Sequence, residues 1–153
     1  ITNRLVGSEM CIRDRARTDA LASEGITGAI KRCEAYIEEG IDGIFLEAVT
    51  SIEEYEVFKK NLSIPVLANI TEFGKTPLFN QNQLKEVGVD MILYPLTAFR
   101  AMSASAEKIY DSIIKDGTQE RLLDIMQTRE ELYEVLDYYN HEKKLDIKFS
   151  NKD

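Results

Sequence analysis

Short apolar runs that stop at a polar or turn-forming residue recur along this chain. The clearest is Pro-Val-Leu-Ala at residues 65–68, which ends abruptly at Asn69. A second segment, residues 41–46, is apolar apart from Asp42 and ends at Glu47, and a third run occupies residues 91–94. Short, continuous apolar runs bounded by such residues are typical of strands that are buried on both faces. The pattern therefore predicts a buried strand at each of these three places.

Segments with the signals of helices separate the strands. Ser51 opens one helix with a capping box, Ser-Ile-Glu-Glu, and Thr27 is expected to cap an earlier helix that Gly40 follows. Strands that alternate with helices indicate βαβ units and a parallel sheet. The predicted helices span residues 27–39, 51–60, 81–87 and 97–115.

An internal repeat supports this alternation. The pattern glycine, branched apolar residue, aspartate, any residue, isoleucine occurs at residues 40–44 and again, 48 positions later, at residues 88–92. Each copy lies where a predicted helix leads into a strand, and the spacing fits two βα units. This period is typical of the (β/α)₈ barrel, whose chemistry lies at the carboxyl ends of the strands. About four units are present, which predicts half of such a barrel. The polar residues at the predicted strand ends are Arg17, Glu47, Asn69 and Tyr94.

The last part of the chain departs from the βα period. Thr128 begins a second capping box, Thr-Arg-Glu-Glu, and a further short helix is predicted at residues 141–149. These helices follow the last unit, so they are expected to pack outside the barrel or on a partner subunit. After the capping box, a helical stripe is predicted from Leu132, Val135, Leu136 and Tyr139.

The first residues look unlike the rest of the protein. Residues 5–15 carry no apolar segment of a secretion signal. They resemble instead the in-frame translation of a transposase adapter used in sequencing libraries. We therefore expect residues 1–15 to be an artefact and the authentic sequence to begin near Ala16.

Composition excludes some classes of partner. The net charge is −8 and the pI about 4.8, which argues against nucleic acid or an anionic membrane as a partner. No apolar run is long enough to span a bilayer. Cys33 lies on an apolar helical stripe and is expected to pack in the core, which fits a reducing, cytoplasmic compartment. His141 has no neighbouring ligand cluster and is expected at a surface or interface.

Six segments carry more specific motifs, and the most specific are Asn-Ile-Thr-Glu-Phe-Gly and Tyr-Pro-Leu-Thr-Ala-Phe-Arg, in that order. Together the six resemble the 2-methylisocitrate lyase family of the isocitrate lyase/phosphoenolpyruvate mutase superfamily. The resemblance runs from Ala16 almost to the end of the chain. It implies the C-terminal half of a (β/α)₈ barrel, with β/α units 5–8 at residues 16–117 and a helical extension at residues 118–153. The six segments are residues 16–20, 45–48, 67–74, 76–79, 93–102 and 126–133.

The resemblance also implies an activity. Members of this family cleave 2-methylisocitrate to pyruvate and succinate in a Mg²⁺-dependent, retro-aldol-type step of the methylcitrate cycle. They are tetramers whose C-terminal helices swap between subunits, so a homo-oligomer is expected here. The family's catalytic cysteine loop and metal-binding aspartates have no match in this sequence, and Cys11 cannot replace that cysteine. No catalytic or metal-binding residue is therefore assigned, and the chain alone is expected to be inactive.

What does match is the substrate-binding part of the family's site. The substrate, a small tricarboxylate, suits arginine side chains, which bind carboxylates through two parallel hydrogen bonds. The resemblance implies seven substrate-contacting residues: Arg17, Glu47, Asn69, Ile70, Thr71, Arg100 and Arg129.

Two alternatives remain open. One is another enzyme of the same superfamily, such as an oxaloacetate decarboxylase, isocitrate lyase or a phosphonate mutase. The Asn-Ile-Thr-Glu-Phe-Gly segment and the C-terminal helices argue against these. The other is a non-catalytic binding fragment. Half a barrel also leaves two sheet edges open, and we expect the isolated chain to be unstable or to associate.

Overall fold

A four-stranded parallel sheet, with the strands in their order along the chain, forms the centre of the fold. The structure is a computed structural model and describes residues 13–150. The predicted strands are present, although the second begins two residues later than expected and the fourth ends one residue earlier. The strands are β1 (Arg15–Thr18), β2 (Gly43–Leu46), β3 (Val66–Asn69) and β4 (Met91–Leu93).

Four helices each follow one of these strands, which confirms the four predicted βα units. They are α1 (Leu21–Glu38), α2 (Ile52–Asn61), α3 (Gln81–Glu86) and α4 (Thr97–Asp116). The chain divides into a first unit, residues 1–101, and a second unit, residues 102–153. The second unit contains most of α4, a 3₁₀ helix (Glu120–Ile125), α5 (Arg129–Val135) and α6 (Tyr138–Ser150). In the part of the chain that the structure describes, no helix has the length and apolar character to cross a membrane.

The predicted start of α1 was wrong. Thr27 does not cap the helix, because α1 already begins at Leu21, close behind β1. Gly25 then leaves helical geometry, with φ 67° and ψ −178°, and kinks the helix. A positive φ costs little at glycine, which lacks Cβ. Thr27 therefore lies just after the kink, near the start of the second segment of α1, and not at the beginning of the helix.

The predicted stripe across the C-terminal helices was also wrong. The capping box at Thr128 is present and opens α5. However, α5 ends at Val135, and Asp137 has a positive φ of 53°. Tyr139 therefore lies on a separate helix, α6, which begins three residues before the predicted one. His141 is exposed on α6.

Predictions made for the two ends concern residues that the structure describes only in part. Residues 1–12 and 151–153, with Cys11 among them, lie outside the described residues. Arg15, which the sequence pattern places in the artefact, is the first residue of β1 and pairs with Gly43. The ordered sheet thus begins one residue before Ala16.

Helices α1, α2 and α3 pack on one face of the sheet and form the core with it. Ala16, Ile44 and Val66 are partners across three strands, so their side chains share this face. Cys33 is fully buried in the core as predicted, and burial raises the pKa of its thiol to about 11. Residues from all three helices complete the core: Ala29, Tyr55, Phe58 and Leu84.

The opposite face of the sheet has a different composition. Arg17, Phe45, Leu67 and Met91 are partners in register, so their side chains project from this face. None of these four residues belongs to the core cluster that the sheet forms with the helices. In a (β/α)₈ barrel the face turned away from the helices is the barrel interior.

The repeated aspartates form the same contact twice at the amino ends of the strands. The backbone N–H of Asp42 donates to the carbonyl of Asp14 at 2.8 Å, and its carboxylate accepts from the Asp14 N–H at 2.9 Å. Asp90 and Val66 make the same reciprocal pair at 3.1 and 2.8 Å. A cation joins each: Arg13 at Asp42 and Lys59 at Asp90, at 3.1 and 2.7 Å. The repeat therefore ties each strand to its neighbour where the pair begins.

Replacing Asp90 by Ala is expected to lower the free energy of unfolding by about 1–3 kcal/mol, because the N–H of Val66, a fully buried residue, loses its acceptor. Asp90→Asn should cost less, since an amide oxygen can still accept that bond. Lys59→Met should cost at most about 1 kcal/mol, because it removes only a partly exposed ion pair. Urea unfolding followed by circular dichroism measures all three, and equal losses for Asp90→Ala and Lys59→Met would contradict the role given to the backbone bond.

Candidate functional site

Three polar side chains from adjacent strands meet at the carboxyl edge of the sheet. Arg17 lies in β1, Glu47 directly follows β2, and Asn69 ends β3. The Glu47 Oε2 atom lies 3.4 Å from Arg17 Nη2, and it accepts a hydrogen bond from Asn69 Nδ2, also at 3.4 Å. Both distances exceed the usual range for a hydrogen bond of this type, so the three side chains are neighbours without being tightly bonded to one another. We call these three residues the strand-end cluster.

Arg17 is held from two further sides. Its Nε and Nη2 atoms donate to the two carboxylate oxygens of Asp19 at 3.0 and 2.8 Å. Its guanidinium carbon lies 5.3 Å from the centre of the Phe45 ring. The hydrogen bond to Asp19 raises the pKa of Arg17, a smaller effect of burial opposes it, and Glu47 adds to it. The same hydrogen bond lowers the pKa of Asp19. The guanidinium is therefore charged and oriented, and within residues 13–150 its Nη1 atom makes no hydrogen bond.

A second group of contacts joins the segment after β3 to the start of α4. Arg100 Nη1 donates to the backbone carbonyl of Glu72 at 2.7 Å and lies 3.5 Å from the Glu72 carboxylate. The Thr97 hydroxyl donates a hydrogen bond to that carboxylate and is the main cause of its lowered pKa. The Arg100 guanidinium carbon also lies 5.1 Å from the centre of the Phe73 ring. We call Glu72, Phe73, Thr97 and Arg100 the loop cluster.

Some buried polar atoms at these places have no hydrogen bond within the described residues. They are Asn69 Oδ1, Glu72 Oε2 and the hydroxyl of Tyr55. A buried polar atom without a hydrogen bond is costly. The charged Arg100 Nη1 lies 3.5 Å from Glu72 Oε2 and partly compensates it. Asn69 Oδ1 has no such neighbour among the described residues and is an unused acceptor. Burial, followed by the charges of Glu47 and Glu54, raises the pKa of the Tyr55 hydroxyl, which stays a neutral donor.

The described residues do not by themselves fit a metal site. Mg²⁺ is bound by oxygen ligands in octahedral geometry. Across residues 13–150 there is no group of three or more histidine, cysteine, aspartate or glutamate side chains that could hold a metal ion.

The remaining predicted site residues occupy different environments. Ile70 is buried in the core, so its side chain packs with apolar residues. Its N–H donates to the carbonyl of Leu93 at 2.9 Å. Thr71 is half-buried just beyond it. Arg129 is the first residue of α5, exposed, in the second unit. The substrate-binding roles of these three residues, like those of the other four predicted site residues, stay predictions.

Several residues that shape the site were not among those predicted. Asp19 orients Arg17, and the Phe45 ring lies against the same guanidinium. For Arg100, the Glu72 carbonyl accepts a hydrogen bond from the guanidinium, and the Phe73 ring lies near it. A signal existed for Asp19, since it stands two positions after Arg17. None existed for Phe45, because an aromatic residue inside an apolar run is indistinguishable from a core residue.

Comparison with known proteins gives this geometry a context. The family model of phosphoenolpyruvate phosphomutase matches residues 6–114. The 2-methylisocitrate lyase of Salmonella typhimurium is 52% identical over 137 residues, which are 90% of this chain and 46% of that protein. The crystal structure of 2,3-dimethylmalate lyase, at 31% identity, superposes on 90% of this chain and 48% of its own with a TM-score of 0.75.

A more distant structure shares the fold alone. Phosphonopyruvate hydrolase, solved in complex with oxalate and Mg²⁺, is 21% identical and covers 84% of this chain and 46% of its own with a TM-score of 0.69. The predicted fold class, a parallel α/β part of a (β/α)₈ barrel, is confirmed by these neighbours and by the four βα units. The chain spans a little under half the length of the curated relatives it matches. It belongs to the phosphoenolpyruvate phosphomutase family, and its sequence is similar to a little under half of the 2-methylisocitrate lyases.

Proposed function

We propose that this chain is the substrate-binding portion of a carbon–carbon lyase that cleaves 2-methylisocitrate to pyruvate and succinate. The observation that supports this most directly is the strand-end cluster. It brings a cation, a carboxylate and an amide from three adjacent strands together at the edge where barrel enzymes place their sites. High identity to 2-methylisocitrate lyases along most of the chain agrees with it.

The substrate explains why these side chains suit each other. It carries three carboxylates and one hydroxyl. Arg17 can bind a carboxylate through Nη1, because Asp19 already holds the other side of its guanidinium. Asn69 can donate to a substrate oxygen from Nδ2, and its buried Oδ1 can accept from a hydroxyl. Glu47 carries the same charge as the substrate carboxylates. In our proposal it therefore accepts a hydrogen bond from the substrate hydroxyl, as a carboxylate can.

The loop cluster supplies the second cation. Arg100 uses Nη1 for Glu72, whereas its Nε and Nη2 atoms make no hydrogen bond within the described residues. We propose that these atoms bind a second substrate carboxylate. Thr71 follows the strand-end cluster along the chain and adds a hydroxyl, whereas Ile70 contributes only its backbone to the site.

Further parts of the proposal rest on the family resemblance. The first is that Arg129 binds a third substrate carboxylate. The second is that the enzyme depends on Mg²⁺, whose ligands lie outside residues 13–150. The third is that the protein is a cytoplasmic homo-oligomer whose subunits exchange their C-terminal helices. The exposed apolar side chains of the last helices favour such an association: Leu132, Val135, Leu136, Leu145 and Ile147 are all at least two-fifths exposed.

A chimaera tests the proposed activity. Residues 16–150 of this chain would replace the matching segment of the Salmonella typhimurium relative, so that the rest of that protein completes the barrel. With Mg²⁺ and 2-methylisocitrate, the chimaera is expected to release pyruvate at a rate within about tenfold of the relative, because the substrate-binding residues are all present. A coupled lactate dehydrogenase assay follows the pyruvate, and the unjoined chain is expected to release none.

Two controls make the result decisive. Isocitrate, oxaloacetate and 2,3-dimethylmalate, supplied as alternative substrates, distinguish the proposed activity from others in the superfamily. Circular dichroism and a melting curve show whether the chimaera is folded. A folded chimaera that prefers one of the other substrates, or that cleaves none, would refute the proposal.

A further inference from the structure

Phe73 occupies an unusual position for an aromatic residue. Its side chain is 95% exposed, and its backbone has a positive φ of 62°. A positive φ is unfavourable for residues other than glycine, asparagine and aspartate. Backbone strain of this kind persists only where the surroundings impose it, and it is concentrated at functional sites.

The strained backbone directs two groups onto one cation. The carbonyl of Glu72, immediately before Phe73, accepts from Arg100 Nη1 at 2.7 Å. The Phe73 ring lies 5.1 Å from the guanidinium carbon of the same arginine. One residue in left-handed geometry thus lies between the carbonyl that accepts from Arg100 and the ring that lies near its guanidinium. Distances below about 6 Å are within the range of an attractive cation–π contact.

These contacts leave one edge of Arg100 open. Glu72 occupies Nη1, and within the described residues Nε and Nη2 have no hydrogen bond. A guanidinium binds a carboxylate through two parallel N–H groups, which requires its plane to be fixed. A long arginine side chain without support loses much rotamer freedom when it binds, so prior orientation favours affinity.

We propose that Phe73 is a positioning residue for substrate binding: its ring and strained backbone hold the Arg100 guanidinium so that the Nε and Nη2 edge meets a substrate carboxylate. This inference rests on the proposed lyase function. It adds to that function a residue that contacts Arg100 and does not itself contact the substrate. Phe73 acts through orientation, so its loss affects substrate affinity more than turnover.

The experiment uses three replacements of Phe73 in the chimaera. Phe73→Asn suits the positive φ but removes the ring, Phe73→Leu keeps the apolar bulk but removes the π face, and Phe73→Tyr keeps both ring and face. KM for 2-methylisocitrate is expected to rise about 3- to 30-fold in the Asn and Leu variants, with kcat changed less than twofold. The Tyr variant should stay within twofold of the parent. Phe99→Leu, a change at an exposed phenylalanine outside both clusters, should also have no effect.

A double-mutant cycle separates positioning from loop structure. In an Arg100→Ala background, Phe73→Leu should change KM less than twofold further, because the ring has no guanidinium left to orient. Equal effects in both backgrounds would overturn the inference. So would an Asn variant with unchanged KM, since it would show that only the backbone geometry matters. A parent chimaera without lyase activity refutes the proposed function itself, whereas an active parent with indifferent Phe73 variants refutes this inference alone.

Discussion

Replacing Arg17 by Ala in the chimaera is expected to lower kcat/KM for 2-methylisocitrate by about 10- to 150-fold. Hydrogen bonds to a charged group contribute roughly 1.5–3 kcal/mol, and that range corresponds to this loss of transition-state stabilisation. Arg17→Lys should recover little activity, because an ammonium group cannot make the paired contacts to Asp19 while also binding a carboxylate. Steady-state kinetics with coupled pyruvate detection measures both variants.

Arg32 provides a matched control for this change. It is also a half-exposed arginine that binds a carboxylate through two nitrogens, in this case that of Glu24 on the same helix. It lies outside the strand-end cluster, and exposed ion pairs contribute little to stability. Arg32→Ala should therefore change kcat/KM less than twofold. If both alanine variants lose activity equally, or if Arg17→Ala lowers the melting temperature and leaves the kinetics intact, Arg17 is a structural residue.

Replacing Phe58 by Ala is expected to lower the free energy of unfolding by about 3–5 kcal/mol. The Phe58 side chain is fully buried on α2, in the cluster that joins the helices to the sheet. Its truncation removes apolar contacts and leaves a cavity that the surrounding structure fills only in part. Domains of ordinary stability have only about 5–15 kcal/mol in total, so the variant should be largely unfolded or melt at a much lower temperature.

The exposed Phe99 on α4 provides the comparison for this loss. It is the same residue type at 64% exposure, and Phe99→Ala should change the stability by less than about 0.5 kcal/mol. Urea titrations followed by circular dichroism at several protein concentrations measure both variants and also show whether the chain associates. Similar losses of stability for Phe58→Ala and Phe99→Ala would mean that α2 does not pack in the core.

Much of the fold could be predicted from local patterns. The four βα units, the capping boxes at Ser51 and Thr128 and the core position of Cys33 follow from periodicity and from side chains that satisfy nearby backbone groups. The repeated Asp42 and Asp90 were visible as a pattern, but their bonds to Asp14 and Val66 were not. Those bonds join residues 24 and 28 positions apart, and spacing along the chain does not show which strand is the neighbour.

The wrong predictions for the start of α1 and for the C-terminal helical stripe have a common physical cause. The kink at Gly25 and the break at Asp137 both depend on a positive φ that the surrounding structure selects. Asparagine, aspartate and glycine permit such angles without requiring them. Helical periodicity continues through both places in the sequence, so a pattern alone predicts an uninterrupted or differently started helix.

The sequence by itself determined which polar residues end the strands, because an apolar run stops where burial stops. It could not determine that Arg17, Glu47 and Asn69 meet, because that depends on the register of three strands joined by helical crossovers. The tertiary structure also decided the orientation of each arginine. Asp19 and Phe45 hold Arg17, and Glu72 and Phe73 hold Arg100, through contacts that require a folded sheet edge and one strained backbone angle. Residue types at a site are thus set locally, whereas the direction in which each side chain can bind is set only when distant segments pack together.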